Sequence, residues 1–424
     1  MDNHPRCCIA GGGPAGMVLG LLLARAGVKV VVLEKHLDFL RDFRGDTVHP
    51  STLEILHELG LLDAFLQRPH DRVDQLRATF EGQGFPVADF THLPSHSKFL
   101  VLMPQWEFLD FMCEEARRYP GFELWTDAEA IGLLQDNGRV NGVKVRRGAR
   151  GPGSPGNPAG GKPQEVELHA SLVVAADGRH STLRDAAALP HISYGAPIDV
   201  LWMRIPKQPG DPDATAGHIA GGHFLVTLNR GDYWQCAFVI PKGGHDALQQ
   251  RGIGAFHAEI AKVAPFMQDR LPQALPDWNA VKLLEVTVDR LESWACKGML
   301  CIGDAAHAMS PVGGVGINLA VQDAVAAANL LAASLAGTAT DKQIDTLLPQ
   351  LQRRREWPVR VTQAAQRMVQ DRVLMPVLGG KVNTKVGHVP WPLRLLSRWP
   401  MLRRLPARAV GLGVRPEHVK SPRA

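Results

Sequence analysis

At 424 residues the chain is too long for one small domain and suits two or three sub-domains sharing a core. Its 45% hydrophobic and 21% charged residues are those of an ordinary soluble globular protein. The net charge of +5 comes largely from Arg353, Arg354, Arg355, Arg403, Arg404 and Arg408, and with only three Tyr no stacking surface for nucleic acid is expected.

Residues 6–10 read as a short buried strand, followed by a helix over 14–26, a stop at Gly27 and a strand over 28–33: one βαβ unit. Apolar residues at helical spacing (Leu53, Leu56, Leu59, Leu62, Phe65) predict a helix over 50–66, and 105–118 a third. Hairpin-like strands surround Asn137-Gly138 and Asn141-Gly142, and the Gly/Pro-rich stretch 147–163 reads as a flexible surface insertion. The strand 172–175 comes next. From about 190 to 290 the pattern turns to alternating strands (200–205, 223–228, 233–240, 281–288) interrupted by a helix at 253–263. The strand 299–302 then leads to a helix rich in small residues over 316–335. A basic helical tail begins near 350, with 391–406 its most amphipathic part. No run of 18 apolar residues suggests a membrane span. Six cysteines show no CxxC pair and no Cys/His ligand spacing, so no metal is expected and a reducing, cytoplasmic location is.

Gly11-Gly12-Gly13-Pro14-Ala15-Gly16 places a G-x-G-x-x-G between a strand and a helix. Gly11 permits the tight turn, Gly13 admits a pyrophosphate, and Gly16 lets helix and strand pack closely; the helix N-terminus faces the phosphate charge. Glu34 ends the second strand eighteen residues beyond Gly16, where a carboxylate can hold a ribose and would repel a 2′-phosphate. That leaves FAD or NAD. Arg44-Gly45 could reach the pyrophosphate from the other side. Asp177-Gly178-Arg179-His180-Ser181 and Gly303-Asp304-Ala305-Ala306-His307 each follow an apolar strand, and the second runs through Pro311 to Asn318 into a long helix. An Asp at a strand end can hold a sugar or ribityl hydroxyl, and a Gly-rich loop at a helix start offers N–H groups and a positive dipole end.

With these pieces in this order, residues 5–335 resemble the single-component FAD-dependent aromatic hydroxylases, the para-hydroxybenzoate hydroxylase-like flavoprotein monooxygenases. The resemblance implies a mixed α/β fold: a Rossmann-like FAD-binding domain, an inserted β-sheet substrate domain and a helical C-terminal region. It implies tightly bound, non-covalent FAD held by Gly11, Gly13, Ala15, Gly16, Glu34, Lys35, Arg44, Gln105, Asp177, Asp304, Pro311, Gly314, Gly316, Ile317 and Asn318. It also implies that NAD(P)H, a transient co-substrate, reduces the flavin. O2 then forms a C4a-hydroperoxide, whose distal oxygen passes to an aromatic or otherwise electron-rich hydrophobic substrate. Val315 departs from the Gln common in that loop.

The expected divisions are FAD-binding parts at 1–75, 105–190 and 291–345, substrate strands at 76–104 and 191–290, and the tail at 346–424. Polar candidates on the substrate side are His49, Arg204, His218, His223, Tyr233 and Gln235. Of these, His49, His223 and Tyr233, with Pro311, are the weak catalytic candidates. His307 either touches the flavin or caps its loop. The tail either packs on its own domain, meets a partner in a homodimer, or rests on an anionic membrane; a monomer is equally open. Three other readings stay in view: a geranylgeranyl-reductase-like enzyme, a flavin-dependent halogenase and an FAD-binding redox carrier. Against the halogenase, Trp202-Met203-Arg204-Ile205-Pro206 carries one Trp where a halogenase has two.

Overall fold

The N-terminal run forms its βαβ unit because Val, Ile and Cys fill both strands without a polar break. Cys7–Ala10 and Val30–Leu33 pair in parallel, fully buried, and the helix Pro14–Arg25 (α1) crosses between them. Pro14 opens α1 where its missing N–H is not needed, and Gly27 (φ 80°) turns the chain out of it. The computed structural model describes residues 4–40, 47–148, 163–379 and 391–424. Arg44, Gly45 and most of the Gly/Pro-rich stretch lie outside the described residues.

Six strands build the first sheet in the order Ala295–Cys296, Met299–Cys301, Leu172–Ala175, Cys7–Ala10, Val30–Leu33, Phe122–Trp125. All neighbours are parallel except the first pair. One face packs on α1 and on helices Pro50–Glu58 (α2), Gln105–Ala116 (α3) and Gly316–Ala336, through residues such as Ile9, Leu19, Phe111 and Val325. The other face (Cys8, Val31, Val173) meets a three-stranded antiparallel sheet of Ala128–Asp136, Arg139–Arg147 and Gln164–His169. The expected helix over 50–66 stops at Glu58 because Gly60 takes φ 72°; Leu62–Phe65 is a separate turn. Asn137-Gly138 is the expected tight turn, with φ 49° and 73°. Asn141-Gly142 is a register shift inside the strand rather than a second turn.

The second sheet has seven strands: Lys282–Leu284, Ile198–Pro206, Tyr233–Pro241, His223–Asn229, Ala216–Ala220, Gln75–Phe80 and Gln83–Asp89. Period-2 alternation divides its residues. Leu201, Met203, Leu225, Trp234 and Phe238 face the helix Ile253–Val263 (α4). Val200, Trp202, Phe224, Val226, Ala237 and Val239 face the opposite way, toward Val312, Leu374 and Met375. The single strand expected over 281–288 is cut short at Leu284. The buried Asp199 carboxylate takes the Val286 N–H (2.9 Å) and Lys242 Nζ (2.8 Å), ending the ladder there. The chain then pairs Asp289–Leu291 with His191–Ser193, so the expected division at 290/291 falls inside a strand.

Gly316–Ala336 (α5) matches the helix expected over 316–335; with the turn before it, Val312–Ala336 is long and apolar enough to cross a membrane, where no such run was expected, yet it is mostly buried inside the protein. Asp341–Val369 (α6) begins under a Thr340/Gln343 capping box, so the expected division at 345/346 also cuts an element. Two short helices, Trp391–Arg398 (α7) and Arg404–Gly411 (α8), follow. The last residues return to the N-terminal domain, where the Ala424 N–H donates to the Arg25 carbonyl at 3.0 Å.

Candidate functional site

The first glycine loop is shaped by its own backbone. Gly11 sits at φ 106°, and a Cβ there would strike the Ala176 carbonyl. A Cβ on Gly16 would strike the Gly11 carbonyl, so α1 lies against the strand as closely as backbone allows. Gly13 is different: nothing lies within 4 Å of the place a Cβ would take, which leaves open space ahead of the α1 N-terminus. Glu34, only 9% exposed, is held under this loop by the Gly12 N–H (3.1 Å) and the His36 N–H (2.9 Å). Ala15 is buried at the loop's inner side, Lys35 is exposed, and Gln105 is half-buried at the start of α3.

The second loop begins at Gly303 (φ 59°). Its missing Cβ would sit 3.3 Å from the Ala15 Cβ and 3.3 Å from the Ala320 Cβ. The two glycine motifs, nearly 290 residues apart in sequence, therefore approach so closely that a side chain on Gly303 would press on Ala15, which brings the N-termini of α1 and α5 together. Asp304 is partly exposed there, 3.7 Å from Arg179, whose guanidinium also donates to the Glu285 carbonyl at 3.2 Å. Asp177 spends one carboxylate oxygen on its own loop, accepting from the Leu183 N–H at 3.3 Å. Burial raises its pKa above the ordinary carboxyl value, against the pull of that bond and of Ser181.

The loop after Asp304 is propped from a distance. His307 neither reaches the groove nor caps its own loop: it is 1% exposed, with Nε2 2.6 Å from Asp323 of α5. The Asp323 carboxylate also accepts from the Gly303 N–H (3.1 Å) and from Arg355 Nε of α6 (2.9 Å). Burial opposes its charge, yet His307 and Arg355 together hold its pKa below the usual carboxylate value. Arg355 continues to the buried Glu417 of the C-terminal segment. Gln363 and Gln366 of α6 and Gln370 in the turn just after it, at i, i+3 and i+7, hold the next residues. Gln363 donates to the Asp289 and Ala308 carbonyls, and Gln366 donates to Ser310 and Val312 carbonyls (both 2.8 Å) while accepting from the Ser310 N–H. Gln370 donates to Ser310 Oγ at 2.8 Å.

Pro311 leads into two left-handed glycines, Gly313 (φ 79°) and Gly314 (φ 64°), a run that β-carbons would strain. The fully buried His49 lies between the Gly314 carbonyl (3.0 Å) and the Val410 carbonyl of α8 (2.8 Å). Burial lowers its pKa more than the two acceptors raise it. Asn318 is tied to α2, accepting from Ser51 (2.7 Å) and Thr52 (3.0 Å). Gly316 has open space at its α-carbon, and Ile317 is partly exposed beside it.

A family model described as an FAD binding domain matches residues 5–365. The chain belongs to this family of FAD-dependent monooxygenases. Its similarity to a 6-methylpretetramide 4-monooxygenase of Streptomyces rimosus is 31% identity over 414 residues, covering 95% of this chain and 93% of that one. A probable FAD-dependent monooxygenase of Pseudomonas aeruginosa, PqsL, shares the fold at a TM-score of 0.71 with 19% identity, covering 89% of this chain and 99% of its own. OxyS anhydrotetracycline hydroxylase from Streptomyces rimosus does so at 0.69 with 24% identity, covering 98% and 77%.

In this flavoprotein the second sheet turns its apolar face toward Val312 of the propped loop. By strand alternation Arg204, Tyr233 and Gln235 belong to that face, and Arg204 stacks over the Tyr233 ring at 5.0 Å. His218 and His223 do not. His218 is buried against Phe266 on the helix-covered side, between Thr79 and Thr227 hydroxyls at 2.9 Å each. His223 lies by Phe238 and 3.9 Å from Glu259 of α4, so the structure places this catalytic candidate across the sheet from the loop at 303–318. Asp323, Arg355 and the three glutamines were absent from the sequence-derived candidates. Their signal was there in part: a lone acid inside an apolar small-residue helix, and Gln at one-face spacing on a charged helix.

Proposed function

We propose that this enzyme binds FAD along the groove between the two glycine loops and uses NAD(P)H and O2 to hydroxylate an electron-rich aromatic substrate lying on the apolar sheet face. The observation that carries the reading is the close approach of Gly303 to Ala15, where only a residue without a Cβ fits comfortably. It makes one elongated site from two motifs, with open space at Gly13 and Gly316 for a pyrophosphate at one end and a flavin ring at the other. In this reading Gly11, Gly13, Ala15 and Gly16 seat the pyrophosphate at the α1 dipole, Glu34 with Lys35 beside it takes the ribose, and Arg44 and Gln105 flank the phosphates. Asp304 takes the ribityl hydroxyls, with Asp177 and Arg179 behind it. Pro311, Gly314, Gly316, Ile317 and Asn318 form the bed for the ring.

Bound there, the flavin supplies hydride acceptance and oxygen activation. The protein's part is placement and exclusion of water. Trp202, Phe224, Val226 and Val312, the partly buried members of that face, would present an apolar wall to a ring, and Arg204 and Tyr233 offer polar contacts at its rim. His49, with both ring nitrogens at carbonyls, acts by positioning the loop rather than by proton transfer. The described cysteines are free, which supports a reducing, cytoplasmic setting. We read the chain as two folded parts, the first sheet with its helices and the second sheet with α4.

Asp304→Ala tests the site: the purified variant should fold and elute as the wild type does, yet lack the yellow flavin absorbance. A fully yellow variant would overturn the assignment. For the reaction, NADH or NADPH oxidation should accelerate with substrate, and the product should carry oxygen from labelled dioxygen. 6-Methylpretetramide, for which the Streptomyces relative is named, is the first substrate to try. Slow reoxidation indifferent to every ligand sinks the monooxygenase reading.

A further inference from the structure

The C-terminal helices have an inner and an outer face of opposite character. Inward, Leu393 of α7 packs with Phe80, Phe85, Phe224 and Val377 at the edge of the apolar sheet face, and Ala407 and Val410 of α8 pack with Phe90 and Leu93. Outward, Leu395, Trp399, Met401 and Leu405 are 41%, 58%, 70% and 67% exposed. Arg394, Arg398, Arg404 and Arg408 are exposed among them, and no Asp or Glu occurs between 391 and 411. Arg403 donates to the Leu396 carbonyl (2.8 Å) and the Ser397 carbonyl (2.9 Å), locking the turn between α7 and α8 so that Trp399 and Met401 stand at its apex.

We propose that residues 391–411 form a docking surface for an anionic phospholipid bilayer. An indole, a thioether and two leucines ringed by guanidiniums are the combination that an interface of acyl chains and phosphate headgroups satisfies at once. A second copy of this chain does not satisfy it, because a two-fold contact sets one arginine-bearing segment against another and neither segment carries an Asp or Glu. A nucleic acid would take the arginines but leave Met401 and Leu405 in water. The surface lies beside the edge of the sheet face that Leu393 touches. Docking therefore sets that edge near the bilayer, where an apolar substrate would concentrate. This last consequence rests on the proposed substrate side; the docking does not.

The test is flotation of the full-length flavoprotein with vesicles of phosphatidylcholine alone or mixed with phosphatidylglycerol, at low and high salt. Two variants accompany it: W399S/M401S/L405S, and R404E/R408E. Binding is expected only to the phosphatidylglycerol vesicles at low salt, weakened about tenfold or more in each variant. Flavin absorbance and basal NAD(P)H oxidation in solution should stay unchanged, which keeps a failure of docking distinct from a failure of the catalytic reading. Absence of binding to anionic vesicles, or binding by both variants as strong as that of the wild type, overturns the proposal. So does a wild-type dimer on gel filtration that the triple variant dissolves, or a stronger shift with duplex DNA than with vesicles.

Discussion

The two glycine loops meet at one groove but are built by opposite means. The loop at 11–16 is fixed by neighbours in sequence and sheet: a carbonyl that excludes a Cβ at Gly11, another that excludes one at Gly16, and Glu34 beneath. The loop at 303–318 has short turns of its own, such as the Ala306 and His307 N–H groups on the Gly303 carbonyl, but is tied down chiefly from a distance. Asp323, Arg355, His49 and three glutamines reach it from α2's approach, α5, α6 and the turn after α6. Local backbone geometry makes a loop that any strand–helix junction of this kind repeats. Remote props make one whose shape depends on the C-terminal third of the chain.

If that contrast is right, the second loop should fail when a distant residue changes and the first loop is left intact. The largest effect is expected from Asp323→Asn, which takes from the buried Arg355 and His307 the carboxylate they share and leaves Arg355 only Glu417 at 3.5 Å. Losing one member of a buried pair costs about 3–5 kcal/mol. Urea unfolding of the apoprotein should show a loss of that order, and the variant should purify with little flavin. Wild-type stability with full flavin content would break the comparison. Gln366→Leu is milder. It strands the Ser310 and Val312 carbonyls and the Ser310 N–H, for roughly 2–3 kcal/mol, part of which water can recover. The fold should survive with FAD bound at least tenfold more weakly by fluorescence titration, and an unaltered affinity would remove the glutamines from the loop's support.

The same contrast explains what could be read from the sequence. Gly11–Gly16 and Glu34 were legible because a turn, a close approach and a strand end are local demands that each name a residue type. Gly303-Asp304 and the left-handed Gly313-Gly314 were legible for the same reason. The props were not, because nothing near Gln366 or Arg355 in sequence says which backbone they will meet across the fold. His49 and His223 drew notice as histidines and were expected at the reaction; one is spent on two backbone carbonyls and the other lies behind a sheet whose sidedness only the helix α4 decides. The break at Gly60 and the strand end at Leu284 were likewise set by a single left-handed residue and a single buried carboxylate.

His218 gives the comparison a control, a buried polar residue that serves the sheet and not the groove. A neutral imidazole donates to one Thr hydroxyl and accepts from the other, so both ring nitrogens are satisfied without a charge. Burial pushes its pKa down to about 4, below the ordinary value of about 6.5. The sign follows from proton binding: as pH falls below about 6.5 the unfolded chain takes up a proton that the folded one refuses, so stability falls with acidification until about pH 4. Between pH 7 and pH 5 the loss from this one group is about 2 kcal/mol. His218→Gln should therefore flatten the dependence of the urea midpoint on pH in that window while flavin affinity stays as in the wild type. An equal acid sensitivity in the variant would assign it elsewhere, and a loss of flavin would mean that the sheet's far side is coupled to the groove after all.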